Sequence, residues 1–266
     1  MGRHCNICEG RVDLAFESVV LGKYNAEYYL CTNCDYLSIR DPHWLNEAYQ
    51  KAISVTDTGL VSRNYDLANK LAALLPHLDS SGKPYLDFAG GLGLMVRLMR
   101  DRGFDFFWMD KFSRNELAVG FEYADGMGDC AAVTAFEVLE HLENPYEEIK
   151  EVLALSNANS FIFSTELYTP PLPAHDWWYF AKETGQHIGF FTHKTLEILA
   201  RRLGLRLYSA GSFHMITSQN FCQIKFRILT SRAAGGISRA ITKNRPGFTL
   251  RDHHHLLNQL SNREKN

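Results

Sequence analysis

No stretch of the sequence approaches the ~20 consecutive apolar residues that a membrane-spanning helix needs, so a transmembrane helix is excluded. Residues 1–10 hold Cys5 and Cys8 but no apolar core of a secretory signal, and a reducing, cytoplasmic compartment is expected. Internal repeats and low-complexity tracts are absent, and no acid occurs between Ile198 and Arg251. What is there is ordinary for a globular chain: 266 residues, 45% hydrophobic and 22% charged, enough for one large domain and a small appendage. The net charge of −2 hides a division, because residues 1–197 carry 16 Lys+Arg against 28 Asp+Glu and residues 198–266 carry 12 against 2. The basic part either meets an anionic ligand or lies against the acidic body.

Four of the six cysteines fall in two pairs, Cys5-x2-Cys8 and Cys31-x2-Cys34. Each pair can grip one side of a tetrahedral ion. Four soft sulfur ligands favour zinc, and with no position left open the zinc is expected to be structural. The stretch between them reads as a hairpin broken at Leu21-Gly22-Lys23-Tyr24-Asn25. A unit this small lacks an adequate apolar core, so the metal would supply its stability, and that core is expected to be separate from the rest. Cys130 and Cys222 fit no pattern and read as core residues.

Beyond Asp41-Pro42, Leu60, Asn64, Leu67, Leu71, Leu74 and Leu75 share one face of a helix that ends before Pro76. Strands are expected at 85–89, 104–109, 131–136, 161–165, 205–210 and 213–217, and helices at 94–102, 113–120, 145–155 and 193–203. Asn144 as N-cap, Pro145 and Glu147 mark one helix start, and Thr192 caps another. Strands spaced by helices give a parallel α/β sheet.

The first of these strands leads into Asp87-Phe88-Ala89-Gly90-Gly91-Leu92-Gly93 and then a helix. Ligands of open parallel sheets bind at the carboxyl ends of the strands. Glycine lets the backbone come close to such a ligand, and the helix start presents free N–H groups. The next strand ends at Asp110, where a carboxylate can accept both hydroxyls of an adenosine ribose. A dinucleotide would need G-x-G-x-x-G, and its third glycine is Val96 here, so that fingerprint fails. The acid Asp87 suits the ammonium and sulfonium of S-adenosylmethionine better than phosphates.

The third strand continues into Phe136-Glu137-Val138-Leu139-Glu140-His141, with Pro145 four residues on. With the glycine turn, this phrase resembles the Rossmann-like S-adenosylmethionine-dependent methyltransferases, in the branch reading F-E-V-x-E-H-x-x-x-P. The resemblance runs over residues 85–207. It implies a mostly parallel seven-stranded sheet with helices on both faces. It further implies a cofactor site at Asp87, Ala89, Gly90, Gly91, Gly93, Asp110, Lys111, Glu137, Val138 and His141. Ala89 stands where the family has its first glycine, and only 26 positions separate Asp110 from Phe136, so the segment between is compressed. Phe121-Glu122-Tyr123 is what remains of the strand whose end approaches the adenine.

Two further segments bear on the acceptor. The loop from Leu167 to Phe180 carries Pro170, Pro171, Pro173 and the adjacent Trp177 and Trp178, and reads as a wall over the methyl-transfer centre or as a packing surface. Gly185-Gln186-His187-Ile188-Gly189-Phe190-Phe191 resembles the family's acceptor-pocket segment. His187 and His141 are the candidate catalytic bases for a hydroxyl or carbon acceptor. His253-His254-His255 reads as a solvated cluster.

The expected layout is a zinc-ribbon-like module at 1–42, a methyltransferase domain at 43–222 and a basic helical extension at 223–266. The chain looks like the methyltransferases with an N-terminal zinc module, which include sugar C-methyltransferases and enzymes of ribosomal RNA. The leading expectation is a small polar acceptor, phosphate-bearing or linked to a nucleotide or carrier. The alternatives are RNA gripped by the zinc module and the basic segment, and a non-catalytic cofactor-binding module. Against RNA stand a pI of about 6.6 and a zinc module that is not basic.

Overall fold

The computed structural model describes residues 4–49, 57–78, 82–124 and 126–263. In chain order the N-terminal part supplies β1 (Val12–Val20), β2 (Tyr24–Cys31), β3 (Leu37–Ile39) and the short α1 (Leu45–Ala48). Then come α2 (Leu60–Leu74), β4 (Tyr85–Phe88), α3 (Leu94–Arg100), β5 (Phe106–Met109), β6 (Ala132–Phe136), α4 (Pro145–Ser156) and β7 (Ser160–Ser164). The chain continues through β8 (Gly189–Phe190), α5 (His193–Arg202), β9 (Arg206–Ala210) and β10 (Phe213–Thr217), and ends in α6 (Gln223–Leu229), α7 (Ala234–Thr242) and α8 (Thr249–Arg263).

The large sheet has the order β5-β4-β6-β7-β10-β9. β5, β4, β6 and β7 are parallel, and β10 runs antiparallel to both β7 and β9. Six strands are fully formed. Of the expected seventh, a single parallel bridge at the β5 edge, Trp108 to Glu122, is what forms among the described residues. The strand order reverses between β4 and β6, because the chain first builds outward to β5 and then returns; the carboxyl ends there form the crevice where such sheets take their ligands.

Alternation along the strands divides the core. Tyr85, Ala132, Ile162 and Met215 face α2, α3, α6 and α7, whereas Leu86, Val133, Phe161, Phe163 and Ile216 face α4 and α5. Full burial of each larger side chain stabilises by about 1.5–3 kcal/mol. The capping box at Thr192 forms: Thr195 donates its N–H to Thr192 Oγ1 at 3.1 Å, and the Thr195 hydroxyl meets the Thr192 N–H at 3.2 Å. α4 starts after Asn144, but that side chain makes no cap bond; Glu148 instead accepts the Asn144 N–H at 3.3 Å.

Two expectations change. Residues 113–120 form no helix. Asn115 Oδ1 accepts the Ala118 N–H, Asn115 Nδ2 donates to Glu122, and both oxygens of Glu122 accept the Gly120 N–H. These side chains take the backbone partners a helix would need. The core of the N-terminal unit is also not separate. β3 pairs with β8, which follows the acceptor-side loop, and Cys5, Cys31 and Cys34 pack in one cluster with Val133, Phe161 and Leu196. Thr195 donates to Cys34 O at 2.7 Å, Asn6 to Glu143 O at 2.7 Å, and Tyr168 to Asp35 O.

Candidate active site

The turn after β4 is built for close approach. Ala89, Gly91 and Gly93 have φ of 53°, 54° and 85°. A Cβ at Gly90 would lie 2.7 Å from Asp87 Oδ2 and 2.9 Å from Trp108, so only glycine fits. Asp110, at the end of β5, draws the turn toward it: Oδ2 accepts the Gly91 N–H at 2.9 Å, while Oδ1 accepts the N–H groups of Phe112 and Ser113 at 2.7 Å each. Beneath the turn Asp87 is buried, with Thr134 donating to its Oδ1 at 2.7 Å. Burial pushes the Asp87 carboxyl up to about 7; the Thr134 bond works against this and the charge of Asp110 adds to it. Lys111 is exposed, its ammonium over the Phe112 ring.

The end of β6 adds the second half. Glu137 sits at φ 55°, its N–H bonded to Ser164 Oγ at 2.9 Å, and the Ser164 hydroxyl donates back to Glu137 Oε1 at 2.5 Å. Arg63 of α2 lies 3.6 Å from Glu137 Oε2 and pairs with Asp57 at 2.8 Å. Val138 is buried and leads into a single 3-10 turn, Leu139–His141. Ile188 N–H bonds to Glu140 O at 2.8 Å and brings the segment before β8 against that turn. His141 and His187 therefore meet, their rings 4.8 Å apart and perpendicular. His141 Nδ1 is 3.1 Å from Gln186 O, and His187 Nδ1 is 2.7 Å from Tyr179 O. A carbonyl only accepts, so Nδ1 carries the proton in both rings and Nε2 keeps its lone pair. Tyr49, stacked 5.5 Å from the exposed Phe112, places its hydroxyl oxygen 3.1 Å from His141 Nδ1 as a second acceptor for that N–H. Burial, with His187 alongside, pushes His141 down to about 3, and burial lowers His187 as well.

Glu140 is the residue that sequence reasoning missed, although it lies within the Phe136–His141 segment. It is fully buried, and among the described residues neither carboxylate oxygen has a hydrogen-bond partner. Burial and then Glu137 push it up to about 8, with the hydroxyls of Tyr179 and Thr165 near enough to oppose this weakly. Tyr49, Arg63 and Thr134 also went unnoticed, because nothing in the spacing links them to the two motifs.

The Pro-rich loop divides its tryptophans. Trp177 packs on Tyr168, Tyr179, Phe180 and Phe190, over the N-terminal sheet, while Trp178 is 71% exposed. Two surface clefts, of about 540 and 350 Å³, are lined by other residues than those of the two motifs.

The four N-terminal cysteines form a second centre. Their sulfurs all lie within 4.8 Å of one another, with Cys5–Cys34 at 3.5 Å and Cys8–Cys31 at 3.4 Å. The two knuckles repeat one geometry. Cys5 N–H bonds to Gly10 O and Cys31 N–H to Tyr36 O, each at 2.8 Å, while Glu9 and Asp35 turn at φ 61° and 60°. Ile7 N–H points at Cys5 Sγ and Cys34 N–H at Cys31 Sγ, donors that favour thiolates. The donor set and its spacing fit a tetrahedral soft ion.

Compared with known proteins, residues 61–210 match the family model described as a methyltransferase domain. The chain belongs to the methyltransferase-domain family. The matched span holds the turn at Asp87–Gly93, the Phe136–His141 phrase and five of the six strands of the large sheet. The matched span opens in α2 and closes with β9, so the four N-terminal cysteines, β10 and α6–α8 lie outside it.

Similar solved structures include the mitomycin 7-O-methyltransferase MmcR, at 15% identity over 66% of this chain and 57% of that one, TM-score 0.43. The Burkholderia thailandensis 1,6-didemethyltoxoflavin-N1-methyltransferase, with bound 1,6-didemethyltoxoflavin and S-adenosylhomocysteine, is 15% identical over 76% and 97%, TM-score 0.47. A Haloferax volcanii putative methyltransferase in complex with the Trm112 activator is 15% identical over 65% and 98%, TM-score 0.48. No curated protein sequence matches the chain. Among the described residues no helix is long and apolar enough to cross a membrane.

Proposed function

We propose that this methyltransferase moves a methyl group from S-adenosylmethionine to a small polar acceptor, a nucleotide- or carrier-linked sugar being the class its resemblance favours, and that it carries a structural zinc. The observation that carries the reading is the joining of the glycine turn to Asp110, with the Glu137–His141 segment opening beside it at the strand-order reversal. When bound, S-adenosylmethionine supplies a methyl group on a sulfonium, ready for in-line displacement. Asp110 is suited to the ribose and Asp87 to the cationic end. Gly90, Gly91 and Gly93, with Ala89, leave the backbone uncovered beneath it, while Glu137, Val138 and His141 border the methionine side and Lys111 the outer edge. His141 and His187 act on the acceptor through Nε2, the nitrogen that their Nδ1 bonds leave with a lone pair. Cys5, Cys8, Cys31 and Cys34 would hold the zinc with every position filled, which gives it stability to supply and no chemistry.

Calorimetry with S-adenosylmethionine and NAD tests the cofactor; S-adenosylmethionine should bind and NAD should not, and tight NAD binding sinks the reading. Asp110→Ala should weaken S-adenosylmethionine by ~1.5–3 kcal/mol, as for a hydrogen bond to a charged group. An unchanged affinity would put the ribose elsewhere. For the acceptor, RNA binding measured against salt decides: a steep salt-dependent loss together with turnover on RNA would replace the small molecule by RNA.

A further inference from the structure

The acceptor side of the site has the makings of a second metal centre. One nitrogen each of His141 and His187 and a carboxylate oxygen of Glu140 lie within 4.8 Å of one another. Both imidazoles are held from behind, His141 by Gln186 O at 3.1 Å and His187 by Tyr179 O at 2.7 Å. An N–H bonded to a backbone carbonyl is the outer contact that fixes the tautomer and ring direction of a metal-bound histidine. It leaves a lone pair on the second nitrogen of each ring, in a cluster with a carboxyl group.

That carboxyl is the independent observation. Glu140 is 0% exposed, yet among the described residues both of its oxygens lack a hydrogen-bond partner. Buried polar groups are nearly always satisfied, and an exception calls for an ion, a water or a chemical task. The nearest hydroxyls are those of Tyr179 and Thr165, which bond to each other at 3.1 Å and so keep one proton between them, while Tyr179 also takes the Glu166 N–H. The two imidazoles offer lone pairs and no further proton. A cation satisfies all three groups at once.

Resting on the methyltransferase reading, we propose that Glu140, His141 and His187 bind one divalent first-row transition-metal ion, which holds an oxygen of the methyl acceptor, so that the two imidazoles act on the acceptor through the ion and not as free bases. Two imidazoles and one carboxylate suit such ions, and three protein ligands leave positions open for an exogenous oxygen. The four-thiolate centre is of the opposite kind, soft and closed, so the two sites would differ in what they hold and in how readily they release it.

The test uses full-length protein with its cysteine centre zinc-replete, titrated with Co²⁺ by calorimetry and by d–d absorption. We expect one cobalt bound per chain in addition to the zinc, with affinity reduced at least ~10-fold in both Glu140→Gln and His187→Ala. Wild-type protein that takes up no cobalt, or uptake unchanged in both variants, overturns the site. Glu140→Gln keeps the shape of the side chain; if His187→Ala does not fold, the wild-type stoichiometry and Glu140→Gln decide. S-adenosylmethionine titrated into the same samples reports separately. Cobalt binding without cofactor binding keeps the metal site and sinks the methyltransferase reading, and the reverse sinks the metal site alone.

Discussion

Asp87 was legible as an acid beside a glycine turn, but its burial and its bond to Thr134 come from β6, 47 residues away. Burial raises its carboxyl to about 7, so ionising it opposes folding: without ligand, stability should fall as pH rises from the ordinary carboxylate range through about 7. A sulfonium or ammonium beside it favours the ionised form. Binding of S-adenosylmethionine should therefore release a proton below about pH 7, with affinity rising toward that pH and levelling above it. Calorimetry in buffers of different ionisation enthalpy measures that proton, and Asp87→Asn should abolish its release; release unchanged in that variant would assign it to another group. Ala89 is a second case, since the substitution was visible in the sequence but its φ of 53° was not. An L-residue there is strained by roughly 1–2 kcal/mol, of which the greater freedom of unfolded glycine takes back about half. Ala89→Gly should thus raise stability by up to about 1 kcal/mol in denaturant melts; a loss would mean the turn relies on the methyl group.

At the scale of elements, strands with apolar runs lay within a residue or two of where the pattern put them, because both faces of the large sheet are buried and each run had to be continuous. The pairing of β3 with β8 was not legible. β8 is two residues long, Gly189 and Phe190, and only the docked cysteine unit gives it a partner. The same docking explains why His187 meets His141: the segment that ends in β8 is pinned by Ile188 N–H on Glu140 O. Glu140 was hidden for a related reason, since a Glu-His pair after a strand reads as surface until tertiary contacts bury it. Zinc removal should accordingly act beyond the first 42 residues. Cys5, Cys31 and Cys34 share a core with Val133 and Phe161, and Thr195 at the start of α5 bonds to Cys34 O. Cys31→Ser, or a strong chelator, should lower the melting of the whole chain in one transition. Two separated transitions, the upper one unshifted, would mean that the unit unfolds by itself.

For the whole molecule, the question left by the charge division was where the basic C-terminal part goes. α7 and α6 pack on α2, and α8 is tied to α3 by the one acid among its described residues. Asp252, its side chain 3% exposed, takes Arg100 Nε at 2.7 Å, Arg100 Nη2 at 2.9 Å and Arg97 Nη2 at 2.5 Å. Burial alone would raise this carboxyl, but Arg100 and Arg97 outweigh it and hold it below the ordinary range. Arg251 reaches Asp105 at 3.2 Å and Arg245 donates to Gly103 O at 2.8 Å, so these two charges are spent on the body. His253, His254 and His255 stay exposed on α8. Removing one partner of a buried pair strands the others, typically at ~3–5 kcal/mol. Asp252→Ala should therefore destabilise the chain by about that much in denaturant melts, and should raise amide exchange in α8 first. Because α3 starts directly after Gly93 and carries both arginines, S-adenosylmethionine affinity should fall as well, although Asp252 belongs to neither motif. A depressed carboxyl contributes stability above the unfolded carboxylate range and loses it as pH falls through its folded value. Wild-type protein should then be the more acid-sensitive of the two, measured as loss of stability relative to neutral pH. If Asp252→Ala melts with the wild type and shows the same acid profile, the Arg97–Arg100–Asp252 cluster does not hold the C-terminal helices to the methyltransferase domain.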